Sequence, residues 1–405
     1  MIVRFYFGQQ MTSLHKKDLY TASFILMATA NFFTVSSLGF FFLFPLFITS
    51  HGGSKADIGI IMGATMLSSV LCRPWISEMV DRAGRKRSYG IGCLLTSLLS
   101  LSYILFRGDL SEFYLPLLMV RLLHGVGLAI CFTAGFTYIA DIIPKDRLNE
   151  GIGMFGVTAL VGMGIGPVIA EMIIEAYGSR FFLLSAAGMA FLGFSLHIFL
   201  TESYDRHTTG SAVSFFTVLF RKKLALIAIL AVLFGFGLAA FAGFVSPFAQ
   251  EKNISFISLY FVAYSSAAVI TRFFGGRLAD RVGEARIIPY ALMMTGSGFL
   301  VLIFLNGEAL LLISGLMSGC GHGFLFPCLN AMALRGEPVG IRGKINGIFT
   351  GGIDAGVFSG SIILGYVGEW GGFQGIFFLT ALALFTGVLF YHMKPVRQSL
   401  GTLKN

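Results

Sequence analysis

The sequence predicts an all-α membrane protein: twelve transmembrane helices in two pseudo-symmetric six-helix bundles. Three observations carry this prediction. Of the 405 side chains, 56% are apolar and 12% charged; a soluble domain carries about 25% charged residues. Uncharged apolar runs recur along the chain, each near the ~20 residues that a spanning helix needs. They lack the alternation of barrel strands, and a helix satisfies its own backbone in lipid. Finally, residues 71–87, LCRPWISEMVDRAGRKR, return 199 positions later as residues 270–286, ITRFFGGRLADRVGEAR. Five positions agree: Arg73/Arg272, Asp81/Asp280, Arg82/Arg281, Gly84/Gly283 and Arg87/Arg286. A repeat of half the chain length implies two similar halves.

The first half, 1–200, holds six runs. Run 1 (19–49) is Phe-rich, with Asn31 near its middle and Pro45 near its end. Run 2 (57–80) ends in the repeated charged stretch, a charged tight turn that leads into run 3 (88–106). Run 4 (113–140) carries Arg121, His124, Gly125 and Gly127, and the polar loop 141–150 closes it. Run 5 (151–176) is dense in glycine up to Pro167, and run 6 covers 180–200. A polar linker, 201–223, follows, with an amphipathic middle at 213–220 suited to a membrane surface. The second half, 224–405, repeats the plan with runs at 224–248, 257–279, 287–306, 309–334, 345–368 and 373–393. Run 8 ends in the second charged stretch, run 10 carries His322-Gly323, and run 11 carries Asp354.

The net charge of +9 is no sign of nucleic-acid binding, because the basic residues lie between apolar runs. Of the 29 Lys and Arg, 21 fall in the termini and loops of one side, four on the other and four within runs. Positive loops face the cytoplasm, so both termini and the linker are expected there. The five cysteines lie inside apolar runs without metal-ligand spacing, which reads as buried free thiols with no metal site. The first run is too long for a cleavable signal. Met11 is an alternative start, since residues 1–10 look unlike the rest.

The motifs then converge. Asp81-Arg82-Ala83-Gly84-Arg85-Lys86-Arg87 resembles motif A of the major facilitator superfamily, and residues 276–283, GRLADRVG, resemble its second-half copy. Residues 121–127, RLLHGVG, are similar to motif B, and residues 162–167, GMGIGP, to motif C, the antiporter motif. The first copy departs from the pattern with Ser77 where a glycine is expected; the second replaces the basic run with Glu284-Ala285. The resemblance spans the chain and implies a drug/proton-antiporter-like carrier of two bundles around one cavity. It implies that Asp81 meets the N-terminus of the run-11 helix, where an anion is favoured, and that Arg85 pairs with Asp141. Asp81, Arg82, Gly84, Arg85 and Asp141, with Asp280, Arg281 and Gly283, would then form a gate. It places Arg121 in proton coupling, and Gly162, Gly166 and Pro167 at a hinge between the halves, a feature associated with export.

The residues add their own argument. Arg121 and Asp354 lie well inside runs, where a charge is expensive unless paired or wet, so each is a functional candidate. Asp354 is the acid expected to load and release protons. Packing against backbone carbonyls or Glu112 for Arg121, and a permanent ion pair or a structural contact between the halves for Asp354, are the structural alternatives. His124 and His322 are related by the repeat, and an imidazole titrates near neutral pH; a satisfied core histidine is the plainer reading. Asn31 is a further cavity candidate, and Glu171 suits a contact at the outer vestibule. No Walker A, HExxH or GxSxG arrangement appears, so an enzyme is not expected. The expected function is proton-coupled secondary transport of a small molecule by alternating access. The proton gradient is the driving force, and no cofactor is needed. Export of a drug or metabolite is the first reading; proton symport of a sugar or organic acid is the alternative, and a sensor role the third. The expected partners are a small-molecule substrate and membrane lipid, with no nucleic acid. The expected state is a monomer, multi-pass in the cytoplasmic (inner) membrane.

Overall fold

The computed structural model describes residues 19–144, 147–203, 214–337 and 341–393, and leaves the side chains of 148, 149, 275–281, 342 and 343 undescribed. The two candidate starts, most of the linker, the tail and the side chains of Asp280 and Arg281 therefore lie outside the described residues. The helices are α1 (Ala22–Phe40), α2 (Phe44–Ser50), α3 (Lys55–Ala83), α4 (Arg85–Ser102), α5 (Leu110–Ile142), α6 (Leu148–Tyr177) and α7 (Ser179–His197). They continue with α8 (Phe215–Leu219), α9 (Lys222–Gly243), α10 (Val245–Glu251), α11 (Leu259–Val282), α12 (Glu284–Ile303), α13 (Glu308–Leu334) and α14 (Arg342–His392).

Ten of these segments are long and apolar enough to cross a membrane. In α11 the apolar part, Leu259–Phe274, is shorter, but the helix continues to Val282. The remaining crossing is inside α14, which breaks at Gly372 with φ of 63°. There the side chain of Ile376 packs on Gly368, so the two arms fold back on each other. All twelve runs are thus helical, and the chain is an all-α, multi-pass membrane protein.

Two runs expected to be continuous are broken. Run 1 becomes α1 and α2, parted at 41–43, and run 7 becomes α9 and α10, parted at Phe244. Pro45 and Pro247 sit in the first turns of α2 and α10; proline has no N–H to continue the preceding helix, but suits a first turn. The amphipathic linker stretch contains the short helix α8, which buries Val218 and exposes Phe216.

In one bundle α1 packs on α6 and α7, and α5 on α3 and α4; in the other α9 packs on α14, and α13 on α11 and α12. Between bundles α3 lies along α14, and α6 along α11. We call the end carrying Arg82–Arg87 the basic end and the opposite one the far end. One apolar core runs through both bundles by way of Phe41, Phe42, Phe44, Phe241, Phe248 and Phe261. A second, including Met27, Ile76, Val80, Tyr89 and Tyr138, stays within the first bundle at the basic end.

Lipid tails are as apolar as leucine, so helix association in a membrane rests on close contact, and small residues permit it. Gly125 is the tightest case: a Cβ there would sit 1.9 Å from the carbonyl oxygen of Thr65 on α3. Gly125→Ala is expected to destabilise the protein by roughly 2–3 kcal/mol through overpacking. The same change at Gly188, where a Cβ meets nothing within 4 Å, is expected to be neutral. Thermal unfolding of the two variants in detergent checks this, and equal melting temperatures would refute it.

Candidate functional site

Asp354 lies on α14 and faces α3 of the other bundle. Its carboxylate forms an ion pair with Arg73 and accepts a hydrogen bond from Ser69 Oγ at 2.8 Å. Arg73 Nη1 also donates to Thr350 Oγ1 at 2.9 Å. The pair keeps a little exposure, 14% for Arg73 and 17% for Asp354. It is therefore a charged link between the two bundles, deep in the helices and still reachable by water. Sequence reasoning found Asp354 but not its partner. The available signal was that Arg73 belongs to the repeat and lies inside a run.

Around motif A, Arg85 Nε donates to Asp141 Oδ2 at 2.9 Å, and Arg85 lies 3.3 Å from Asp81. Asp81 itself is 67% exposed, and among the described residues its partner is Arg85 and not the start of α14 that the resemblance implied. The contacts described between α3 and α14 include Arg73, about two turns before Asp81. Arg82 pairs with Glu78 on its own helix. Gly84 and Gly283 turn α3 into α4 and α11 into α12 at φ of 94° and 90°, a region that a side chain disfavours. Adding 199 to Arg85 gives Glu284, which pairs with Arg335. The second half thus keeps this ion pair with its signs exchanged.

Motif C needs correcting. Gly162 and Gly166 face α1 of their own bundle: Cβ atoms there would sit 3.0 Å from the Phe32 oxygen and 2.5 Å from the Ser36 oxygen. Gly39 of α1 packs back on Pro167. Only Gly164 looks across, to Ser265 of α11. The helical period explains the split, because residues four apart share a face and a residue between them does not.

The other candidates are satisfied within single bundles. Arg121 is 3% exposed. It donates to Ile61 O at 3.2 Å and lies over the rings of Phe41 and Phe44 at 5.5 and 5.1 Å. Aromatic faces and a carbonyl suit a desolvated guanidinium. His124 shares a hydrogen bond with Tyr103 and meets Phe41 edge-on at 4.8 Å. His322 repeats this with Tyr264 and with Phe234 at 4.9 Å. Asn31 is buried and donates to Thr158 Oγ1 at 3.0 Å. Cys93, Cys131 and Cys328 are buried and free, while Cys72 and Cys320 are half-buried.

At the far end sequence reasoning anticipated a contact for Glu171 but missed its counterpart at Glu369. Glu171 of α6 accepts the backbone N–H groups of Ile257 and Ser258 at 2.6 and 2.8 Å, just before α11 in the other bundle. Glu369 of α14 accepts the N–H of Ala56 at the start of α3, at 2.8 Å. The two acids are 198 residues apart, one short of the repeat offset of 199. Each places a carboxylate where a helix presents unpaired N–H donors and partial positive charge. Between them Ser246 Oγ donates to Phe42 O at 2.7 Å, bridging the two broken helices. A Cβ on Gly59 would meet the Ser361 oxygen at 2.3 Å. The far end is closed.

Comparison with known proteins decides the family. The sequence profile described as Major Facilitator Superfamily matches residues 22–292 and 227–404. The chain belongs to the Major Facilitator Superfamily. This transporter is 24% identical over 358 residues to the multidrug resistance protein MdtG of Klebsiella pneumoniae, covering 84% of each chain. It is 23% identical over 385 residues to an MFS-type transporter of Methanocaldococcus jannaschii, covering 91% of this chain and 97% of that one. Its fold matches the crystal structure of the human organic anion transporter MFSD10 with a TM-score of 0.71 and 15% identity, over 92% of this chain and all of that one. It is a carrier, not an enzyme.

Proposed function

We propose that this carrier exports a small molecule in exchange for protons, and that Asp354 is the group that exchanges them. The observation that carries the reading is the link between Asp354 and Arg73. It joins the two bundles and is made of groups whose attraction a single proton abolishes. When Asp354 is ionised, Arg73 and Ser69 hold it and α3 stays tied to α14. When it is protonated, the ion pair is lost and the bundles can part.

The basic end is taken as cytoplasmic, because the loops there hold most of the Lys and Arg. The protein would then sit in the inner membrane with both termini inside. A conformation closed at the far end and with Asp81 exposed at the basic end fits a carrier facing the cytoplasm. The likeness to MdtG, a multidrug resistance protein by name, supports export.

Everted membrane vesicles test the reading. With a pH gradient imposed acid inside, they are expected to accumulate fluorescent amphipathic dyes only when they contain this protein, and to lose them when a protonophore collapses the gradient. Accumulation that survives the protonophore would refute proton coupling.

A further inference from the structure

We propose that Arg272 is an anion subsite between the bundles, and that the cargo carries a carboxylate or phosphate on an apolar body. This rests on the transporter reading above and adds the class of cargo. Arg272 is the repeat mate of Arg73, but the two have different neighbours. Arg73 meets Asp354. Subtracting 199 from Asp354 gives Phe155, with Gly156 beside it, so no acid occupies the equivalent place on α6. A Cβ on Gly156 would sit 2.6 Å from Arg272 Nη1, so the guanidinium occupies the space that a side chain on α6 would fill. Its other neighbour is the ring of Phe326 at 5.3 Å. Arg272 Nε is buried without a hydrogen-bond partner, and among the described residues no carboxylate pairs with the side chain.

A half-buried cation with neither a counter-charge nor, unlike Arg121, a backbone acceptor among the described residues is unfavourable in a low-dielectric site, and more so in a membrane. The acids that lie between the bundles are engaged elsewhere, Asp354 by Arg73 and Glu171 by the start of α11. Phe326 continues into an aromatic wall, with Phe349 at 5.2 Å and His322 at 6.2 Å between ring centroids. A bare guanidinium beside aromatic rings fits an anionic head on an apolar or aromatic body. A neutral or cationic cargo would leave the charge unanswered.

Equilibrium binding to the purified full-length protein in phosphatidylcholine nanodiscs tests this without any gradient. The probes are pyrenebutyrate, its neutral amide and the matching pyrenebutylamine. The wild type should prefer the carboxylate. Arg272→Gln should weaken carboxylate binding at least about tenfold and change amide binding by less than about twofold. Gly156→Asp keeps the arginine and supplies the missing acid; it should weaken the carboxylate equally and raise the melting temperature. It also keeps the test open if Arg272→Gln fails to fold. Inorganic phosphate at millimolar concentration should compete with pyrenebutyrate. Equal binding of the three probes, or carboxylate preference surviving in Gly156→Asp, would overturn the assignment. So would competition by phosphatidylglycerol discs with free phosphate inert, which would mean a lipid headgroup site. Because this binding is read at equilibrium without a gradient, failure of proton coupling and failure of this subsite give different results.

Discussion

Asp354→Asn is expected to abolish proton-driven flux while the protein still inserts and folds. The asparagine can keep the hydrogen bond with Ser69, but it cannot take up and release a proton. It also leaves Arg73 without a counter-charge, and removing one partner of a buried pair is more damaging than removing both. Melting should therefore report a loss of about 2–4 kcal/mol, near the range for breaking buried pairs. Adding Arg73→Gln removes the stranded cation. The double variant is expected to recover most of the melting temperature and none of the proton-linked flux. A role in stability alone would restore both together. Flux at the wild-type level in Asp354→Asn proteoliposomes would remove Asp354 from the mechanism.

Replacing both Glu171 and Glu369 with alanine is expected to open the far end. Each acid holds the start of a helix in the opposite bundle, and hydrogen bonds to a charged group contribute roughly 1.5–3 kcal/mol each. Two such contacts bias the closed form by several kcal/mol, enough to shift a two-state population on the order of a hundredfold or more. Ser361 is 1% exposed and packed on Gly59, so a cysteine placed there reports the change. Ser361→Cys should resist a membrane-impermeant maleimide in the otherwise wild-type protein. It should react at least about tenfold faster in the double variant, with each single variant between. Unchanged reactivity would mean that the aromatic seal from Phe42 to Phe241 and Phe261 closes the end by itself.

Much of this was legible in the chain. Spans follow from composition, because every helix in lipid must be long and apolar. The repeat announced itself through Arg73/Arg272 and Gly84/Gly283, and Asp354 stood out as an acid inside a run. Its partner did not, because the pairing spans 281 positions and depends on α3 lying along α14. Glu171, inside a run, carried the expectation of an outer contact; Glu369, one residue off the repeat offset from it, lay at a run end, where acids are common and carry little signal. The breaks at 41–43 and Phe244 were invisible to hydropathy, since phenylalanine is as apolar in a turn as in a helix. Motif C was assigned to the interface as a block. The helical period divides it, giving Gly162 and Gly166 to α1 and Gly164 to α11.

The central claim is that ionisation of Asp354 sets which end is open. The state holding the Asp354–Arg73 pair binds fewer protons, so raising the pH favours it and lowering the pH favours its alternative. Spin-label distances across the bundles measure this directly, with Cys72 and Cys320 replaced by alanine. Labels replace exposed Ser50 and Lys252 at the far end, and exposed Arg82 and Arg286 at the basic end. On acidification the wild type should lengthen the first distance and shorten the second, and Asp354→Asn should show the acid distances at every pH. A wild-type pH response that persists unchanged in Asp354→Asn would contradict the account and move the switch to Glu171 and Glu369.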